Sequence, residues 1–161
     1  MITLSNIHEF SDEEVFNYVA TELIKQGKRS GTNEKCLYLS DDGSKCAVGL
    51  LMDNYHKEFD YCRQVQDISG EMFWTSTPLI LILRVYYPKA VPRFRLLGLL
   101  QHIHDYFKPE EWQSIFAELR KELFNNYAIV IKNYKLEPYK VLTDRIKEYR
   151  ASGCDEGRKY T

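Results

Sequence analysis

Cys46 and the run Gln101-His-Ile-His-Asp105 are the residues whose types and spacing offer chemistry. A thiol becomes a nucleophile when its thiolate is favoured, and the positive end of a helix dipole favours it. Cys46 opens the apolar run Ala-Val-Gly-Leu-Leu after a polar turn, so a strand passing into a helix there would set its sulfur at such an end. A base must come from a distant segment, and His102 or His104 supplies one. On a helix His102 and Asp105 are neighbours at i and i+3, so Asp105 is expected to orient His102. Cys46, His102 and Asp105 would then form a Cys-His-Asp set for a hydrolase or transferase. The competing expectation is a buried small cysteine and a solvent-facing His-Asp pair, since free cysteine is among the most buried residue types.

Zinc held by Cys36, Cys46 and the histidines is the other chemistry these residue types suggest. Nine residues separate the two cysteines, where fingers use about two to four. His102 and His104, two apart on a helix, point roughly 200° from each other. No metal and no cofactor is therefore expected. There is no Gly-x-Gly-x-x-Gly, no Walker loop and no His-Glu-x-x-His, so the common nucleotide and metalloprotease readings find no footing.

The elements that must position these residues are mostly helical. Ser11 with Glu14 makes a capping box, and Phe16, Val19, Ala20 and Leu23 share one helical face up to Gly27, which predicts a helix over 11–26. Asp-Asp-Gly between Leu37-Tyr-Leu39 and Lys45-Cys-Ala-Val48 predicts a small antiparallel β-hairpin. With Asp42-Gly43 as a two-residue turn, Asp41 would pair with Ser44 and Leu39 with Cys46, leaving Cys36 beyond the paired region. Residues 53–76 are poorly patterned and read as irregular. Thr77-Pro78 is a good helix start, although Leu-Ile-Leu-Ile-Leu-Arg-Val-Tyr-Tyr is β-rich; helix is favoured over strand. Pro88 and Pro92 frame a connector. Leu96, Leu99, Leu100, Ile103 and Phe107 then mark a helix over 93–107, and Pro109 starts another carrying Trp112, Ile115, Phe116, Leu119 and Leu123. Asn125-Asn126 breaks it, 127–134 is ambiguous, and Tyr139, Leu142, Ile146 and Tyr149 define a last helix to about 151. The expected fold is α+β, a predominantly helical single domain over 1–152 with a small hairpin, and a frayed tail over 153–161.

Length and composition support a single core. A chain of 161 residues, 44% hydrophobic, buries about 70% of the surface its unfolded form exposes. Cys36, Cys46, Cys62 and Cys154 show no Cys-x-x-Cys spacing, and Met1-Ile-Thr-Leu-Ser-Asn lacks the basic start and apolar core of a secretory leader. A reducing cytoplasm is the expected compartment. The longest apolar run is Leu79-Ile-Leu-Ile-Leu83, far short of the about 20 residues of a membrane span, so no membrane partner is expected.

The net charge of −1 hides an asymmetry: residues 1–80 carry 7 Lys/Arg against 13 Asp/Glu, and residues 81–161 carry 15 against 10. No acidic residue occurs between Glu71 and Asp105, a stretch that holds Arg84, Lys89, Arg93 and Arg95. That stretch is an anion-facing candidate surface, unless the two halves neutralise each other within one domain. Anionic nucleotide or nucleic-acid binding is a further possibility, since Lys132, Lys135, Lys140, Arg145, Lys147 and Arg150 interleave with Tyr127, Tyr134, Tyr139 and Tyr149. Core packing explains Tyr139 and Tyr149 better, and a pI near 6.4 lacks the basicity of a dedicated binder.

Three blocks resemble an uncharacterised family of short proteins associated with bacteria, phages and other mobile elements. They are Phe16 to Gly27, ending in Lys-Gln-Gly; Cys36-Leu-Tyr followed by Gly43-Ser-Lys-Cys-Ala-Val-Gly-Leu-Leu; and Leu100-Gln-His-Ile-His-Asp105 followed by Trp112. The blocks span about half the chain, while 60–95 and everything after Leu123 look peculiar to it. The resemblance implies provenance and assigns no catalytic roles. Small accessory proteins of this kind, without a catalytic motif, work mostly by binding a host protein. The leading expectation is therefore a non-enzymatic interaction protein that modulates or inhibits a host enzyme or defence system. Its expected contact residues are Phe73, Trp74, Arg84, Lys89, Arg93 and Arg95, because aromatics and arginine dominate interface hot spots.

Overall fold

The first helix, α1 (Asp12–Gln26), begins and ends as its sequence dictates. Ser11 Oγ accepts the Glu14 N–H at 3.2 Å and a Glu14 carboxylate oxygen accepts the Ser11 N–H at 2.7 Å, which satisfies two otherwise orphaned donors. Gly27 closes it in the left-handed region, at φ 67°, where a side chain would be strained. The computed structural model describes residues 1–31, 37–54, 77–125 and 137–151. Four further α-helices follow within them: α2 (Thr77–Tyr86), α3 (Phe94–Tyr106), α4 (Pro109–Asn125) and α5 (Glu137–Ala151). Thr77-Pro78 thus starts a helix, as expected, and the connector Pro88–Arg93 winds as a 3-10 helix between two proline-limited ends.

Helix α3 lies at the centre. It contacts α1, α2, α4, α5 and the connector, and every residue from Leu96 to His104 is buried. A helix buried all round cannot leave its polar groups to water. Gln101, His102 and His104 must therefore find partners inside the protein, and this requirement shapes the site below. Around α3, α1 packs on α4 through Phe16, whose ring meets Phe116 and Phe124 edge-on at 5.6 and 5.5 Å. One apolar cluster gathers side chains from Ile2 to Tyr149.

The α+β expectation is corrected: among the described residues there is no strand and no sheet, and the fold is predominantly helical. The expected hairpin shrinks to a single antiparallel bridge between Leu39 and Lys45. Its register differs from the expected pairing of Leu39 with Cys46 by one residue. The Ser44 N–H and Oγ both donate to Asp42 Oδ1, at 2.9 and 2.6 Å, and Gly43 turns to φ 81°. Gly43 N donates to Ser40 O at 2.9 Å and Ser40 N to Ser44 O at 2.8 Å. Three residues, 41–43, therefore form the loop, the arrangement that a left-handed glycine allows. The Cys46 N–H reaches Tyr38 O at 3.3 Å, after which the chain turns into the 3-10 helix Gly49–Leu51, too soon for a second rung.

The acidic first half and basic second half meet within one chain. Arg93 pairs with Asp12 in the core, and Arg120 with Glu13 at 3.2 Å on the surface. None of the described helices is long and apolar enough to cross a membrane. The expectations for 127–134, for the tail from 153, and for 55–76 within the irregular segment lie outside the described residues.

Candidate functional site

The polar residues of α3 form a clasp. His104 Nε2 accepts the Ser30 N–H at 3.1 Å, so the ring proton resides on Nδ1, which donates to Asp105 Oδ1 at 2.8 Å. Gln101 Nε2 donates to the same oxygen at 2.8 Å, and Gln101 Oε1 accepts the Val48 N–H at 3.2 Å. The His104 ring stacks on Trp112 at 5.5 Å, and the indole N–H donates to Phe107 O at 3.0 Å. Two backbone donors, from the loop after α1 and from the turn after Cys46, are thereby held against the central helix. Both ring nitrogens of His104 are engaged in that task.

The expected orientation of His102 by Asp105 is corrected, since the Asp105 carboxylate serves His104 and Gln101 instead. His102 points to α5: its Nε2 lies 3.0 Å from Pro138 O, an acceptor only, so Nε2 carries the proton. Its Nδ1 is buried with no hydrogen-bond partner. The ring stacks on Tyr106 at 4.6 Å. Burial pushes the imidazole pKa down to about 4, and the nearby Arg145 charge adds to the shift. At neutral pH His102 is an uncharged packing group. The two histidines face different elements, and among the described residues no group of three or more His, Cys, Asp or Glu side chains could hold a metal ion.

Cys46 is fully buried, at 0% exposure, and its sulfur accepts the Gly49 N–H at 3.3 Å. Only the three-residue 3-10 helix follows it. The long helix whose dipole was expected to act on the thiol is therefore missing. Cys36 lies outside the described residues. Cys46 is bonded to Gly49, His102 to Pro138, and Asp105 to His104 and Gln101, and none of these hydrogen bonds joins one of the three expected catalytic residues to another.

The acid-free stretch offers a different arrangement. Arg84, Pro88, Lys89 and Pro92 are exposed, with Val85 at 69% and Tyr86 at 40% exposure. Ala90 and Arg93 face inward. Arg93 is corrected from a contact residue to an anchor: its guanidinium binds the Asp12 carboxylate and Phe10 O, and the Tyr149 hydroxyl donates to the other Asp12 oxygen at 2.6 Å. Tyr87, also buried, donates its hydroxyl proton to Asn54 O at 3.4 Å. Arg95 is half-exposed, 3.7 Å from Glu148 and over the Phe94 ring, so its charge is largely answered. Arg84 and Lys89 make no ion pair with a described residue. Phe73 and Trp74 lie outside the described residues.

The exposure of Val85 and Tyr86 is not legible in the sequence, because the β-rich run that contains them shows no periodicity to say which side faces water. Their place in the last turn before Pro88 was the available signal. Elsewhere, a groove of about 770 Å³ runs between Gly27, Arg29, Tyr106 and Lys108, but Glu110 and Glu111 share it and Lys28 there is bound to Asp42 at 2.8 Å. No protein-family model matches the chain, and comparison with curated proteins and with solved structures likewise found no match.

Proposed function

We propose that the protein is a non-enzymatic binding factor that engages a partner protein through the face formed by the end of α2 and the connector Pro88–Arg93. The observation that carries this reading is the exposure of Val85 and Tyr86 beside Arg84 and Lys89, on a segment fixed from beneath by Arg93. Exposed aliphatic and aromatic side chains on a pre-ordered segment bind with little loss of conformational freedom. The sequence resemblance to short proteins of mobile elements supports a host protein as the target, with modulation or inhibition of that protein as the effect. The enclosure of Cys46 and the neutral, packed state of His102 favour this over a cysteine-dependent reaction.

The test uses the full chain as bait in extracts of its source cells, alongside Val85→Asp and Tyr86→Ser variants with unchanged circular dichroism. Retention of a stoichiometric protein by the native chain and its loss in both variants is the expected result. Retention by the variants would move the binding surface elsewhere. Release of that protein by nuclease would point to a nucleic-acid bridge instead.

A further inference from the structure

We infer that the face around Val85 and Tyr86 takes an acidic partner, a protein surface that sets carboxylates around an apolar recess; this rests on the binding reading above. Some exposed cations meet carboxylates within the chain: Lys28 with Asp42, Arg120 with Glu13, Arg150 with Glu122 and Lys147 with Asp144. Arg84 and Lys89 make no ion pair with a described residue. No acidic residue occurs between Glu71 and Asp105, and no described carboxylate folds back onto them as Asp12 does onto Arg93. The one strong local charge below them, Arg93, is cancelled by Asp12 inside the core. The face therefore combines apolar area with two positive charges that no described carboxylate answers.

That combination discriminates between partners. Covering Val85 and Tyr86 draws Arg84 and Lys89 toward the edge of the contact and strips part of their water. Against a neutral surface the lost hydration is not replaced, and against a basic one it is compounded by repulsion. Carboxylates placed around the apolar contact restore it through charge-assisted hydrogen bonds, bidentate in the case of Arg84. Pro88 and Pro92, with the buried Arg93 and Tyr87, hold the spacing of these groups. A partner is thus read both for an apolar recess and for negative charge at its rim.

Three short fluorescent peptides sharing one leucine and phenylalanine pattern, with glutamate, serine or lysine at the remaining positions, are the probes. Fluorescence anisotropy with the full-length chain reads their affinity, and a single-stranded oligonucleotide serves as a fourth probe. The expected result is about tenfold tighter binding of the acidic peptide than of the serine peptide, shrinking as salt shortens the reach of charge. Arg84→Glu with Lys89→Glu, two exposed sites, should invert the order of the acidic and basic peptides. Equal affinity for all three peptides, or an order that survives charge reversal, overturns the inference. If peptides bind without a charge preference and Val85→Asp abolishes that binding, the acidic partner is excluded while the binding face stands. If no peptide binds, or Val85→Asp changes nothing, both readings fail. Tighter binding of the oligonucleotide, indifferent to Val85→Asp, reassigns the cations to phosphate and also overturns the inference.

Discussion

Arg93 and Asp12 meet inside the core although they lie 81 positions apart in sequence, and their side chains are only 1% and 2% exposed. The pair joins the start of α1 to the end of the connector, and the Tyr149 hydroxyl adds α5 through the second Asp12 oxygen. Three elements distant in sequence thus converge on one carboxylate.

Removing one member of such a pair leaves an uncompensated buried charge. Asp12→Ala or Arg93→Met should each cost about 3–5 kcal/mol, while Tyr149→Phe, which deletes one hydrogen bond to a charged acceptor, should cost about 1.5–3 kcal/mol. Arg93→Lys will not restore stability, because an ammonium cannot span Asp12 and Phe10 O with the fixed fork of a guanidinium. Urea unfolding of the four variants measures these differences. A loss below about 1 kcal/mol for Asp12→Ala would mean that the pair is not sealed from water.

How far this was legible in the sequence depends on distance along the chain. The Ser11-Glu14 box, the proline boundaries and the apolar stripes are local signals, and α1, α3, α4 and α5 follow them closely. The α2 run was ambiguous because an unbroken apolar segment has no period. The turn register was lost to one side chain: Asp42 reaching the Ser44 N–H selects a three-residue loop where Asp-Gly alone suggests two. Arg93 was misassigned for a deeper reason. An aspartate at the first position of a capped helix is ordinarily a solvent-facing partner of the helix dipole, and nothing local marks Asp12 as buried. Asp105 had two histidines within reach, and Gln101, which competes for the same oxygen, decided the geometry.

His102 makes stability depend on acidity. In the unfolded chain its imidazole takes up a proton near its ordinary pKa of about 6.5; folded, burial defers this to about 4. Between those values the unfolded state binds the proton and the native state does not. The contribution is therefore complete above about pH 6.5 and is lost as the pH falls toward 4, on the order of 3 kcal/mol in all. Hydrogen bonds from Lys28 and Ser44 hold the Asp42 carboxyl well below its usual range, which adds loss of the same sign at lower pH. His102→Gln keeps a donor for Pro138 O and does not titrate. Its stability between pH 7 and 4 should fall less steeply than that of the native chain; parallel curves would place His102 in contact with water.

Two glycines should respond oppositely to alanine. A Cβ on Gly49 would run into the carbonyl of Tyr38, backbone against backbone, at the point where the turn after Cys46 crosses the loop. Gly49→Ala should destabilise by at least the about 1–3 kcal/mol typical of overpacking. On α3, a Cβ at Gly98 would meet only Arg145 Nη1, at an ordinary 3.5 Å. Gly98→Ala should stabilise by up to about 1 kcal/mol through helix propensity. Thermal unfolding of the two variants gives the signs directly, and a destabilising Gly98→Ala would indicate that Arg145 cannot yield.

Cys46 supplies the test of the chemistry set aside above. Its sulfur is enclosed and accepts a backbone N–H, so iodoacetamide should reach it only when the segment opens. Peptide mapping by mass spectrometry separates its labelling from that of the chain's other three cysteines. In native buffer Cys46 should stay unmodified, and its labelling should rise with urea in step with unfolding. The Asp105→Asn substitution, which weakens the clasp through His104 and Gln101, should speed the labelling by loosening the turn rather than by changing the thiol. Rapid labelling of Cys46 at neutral pH in the intact fold, slowed by Asp105→Asn, would reverse this reading and return the residue to the role of nucleophile.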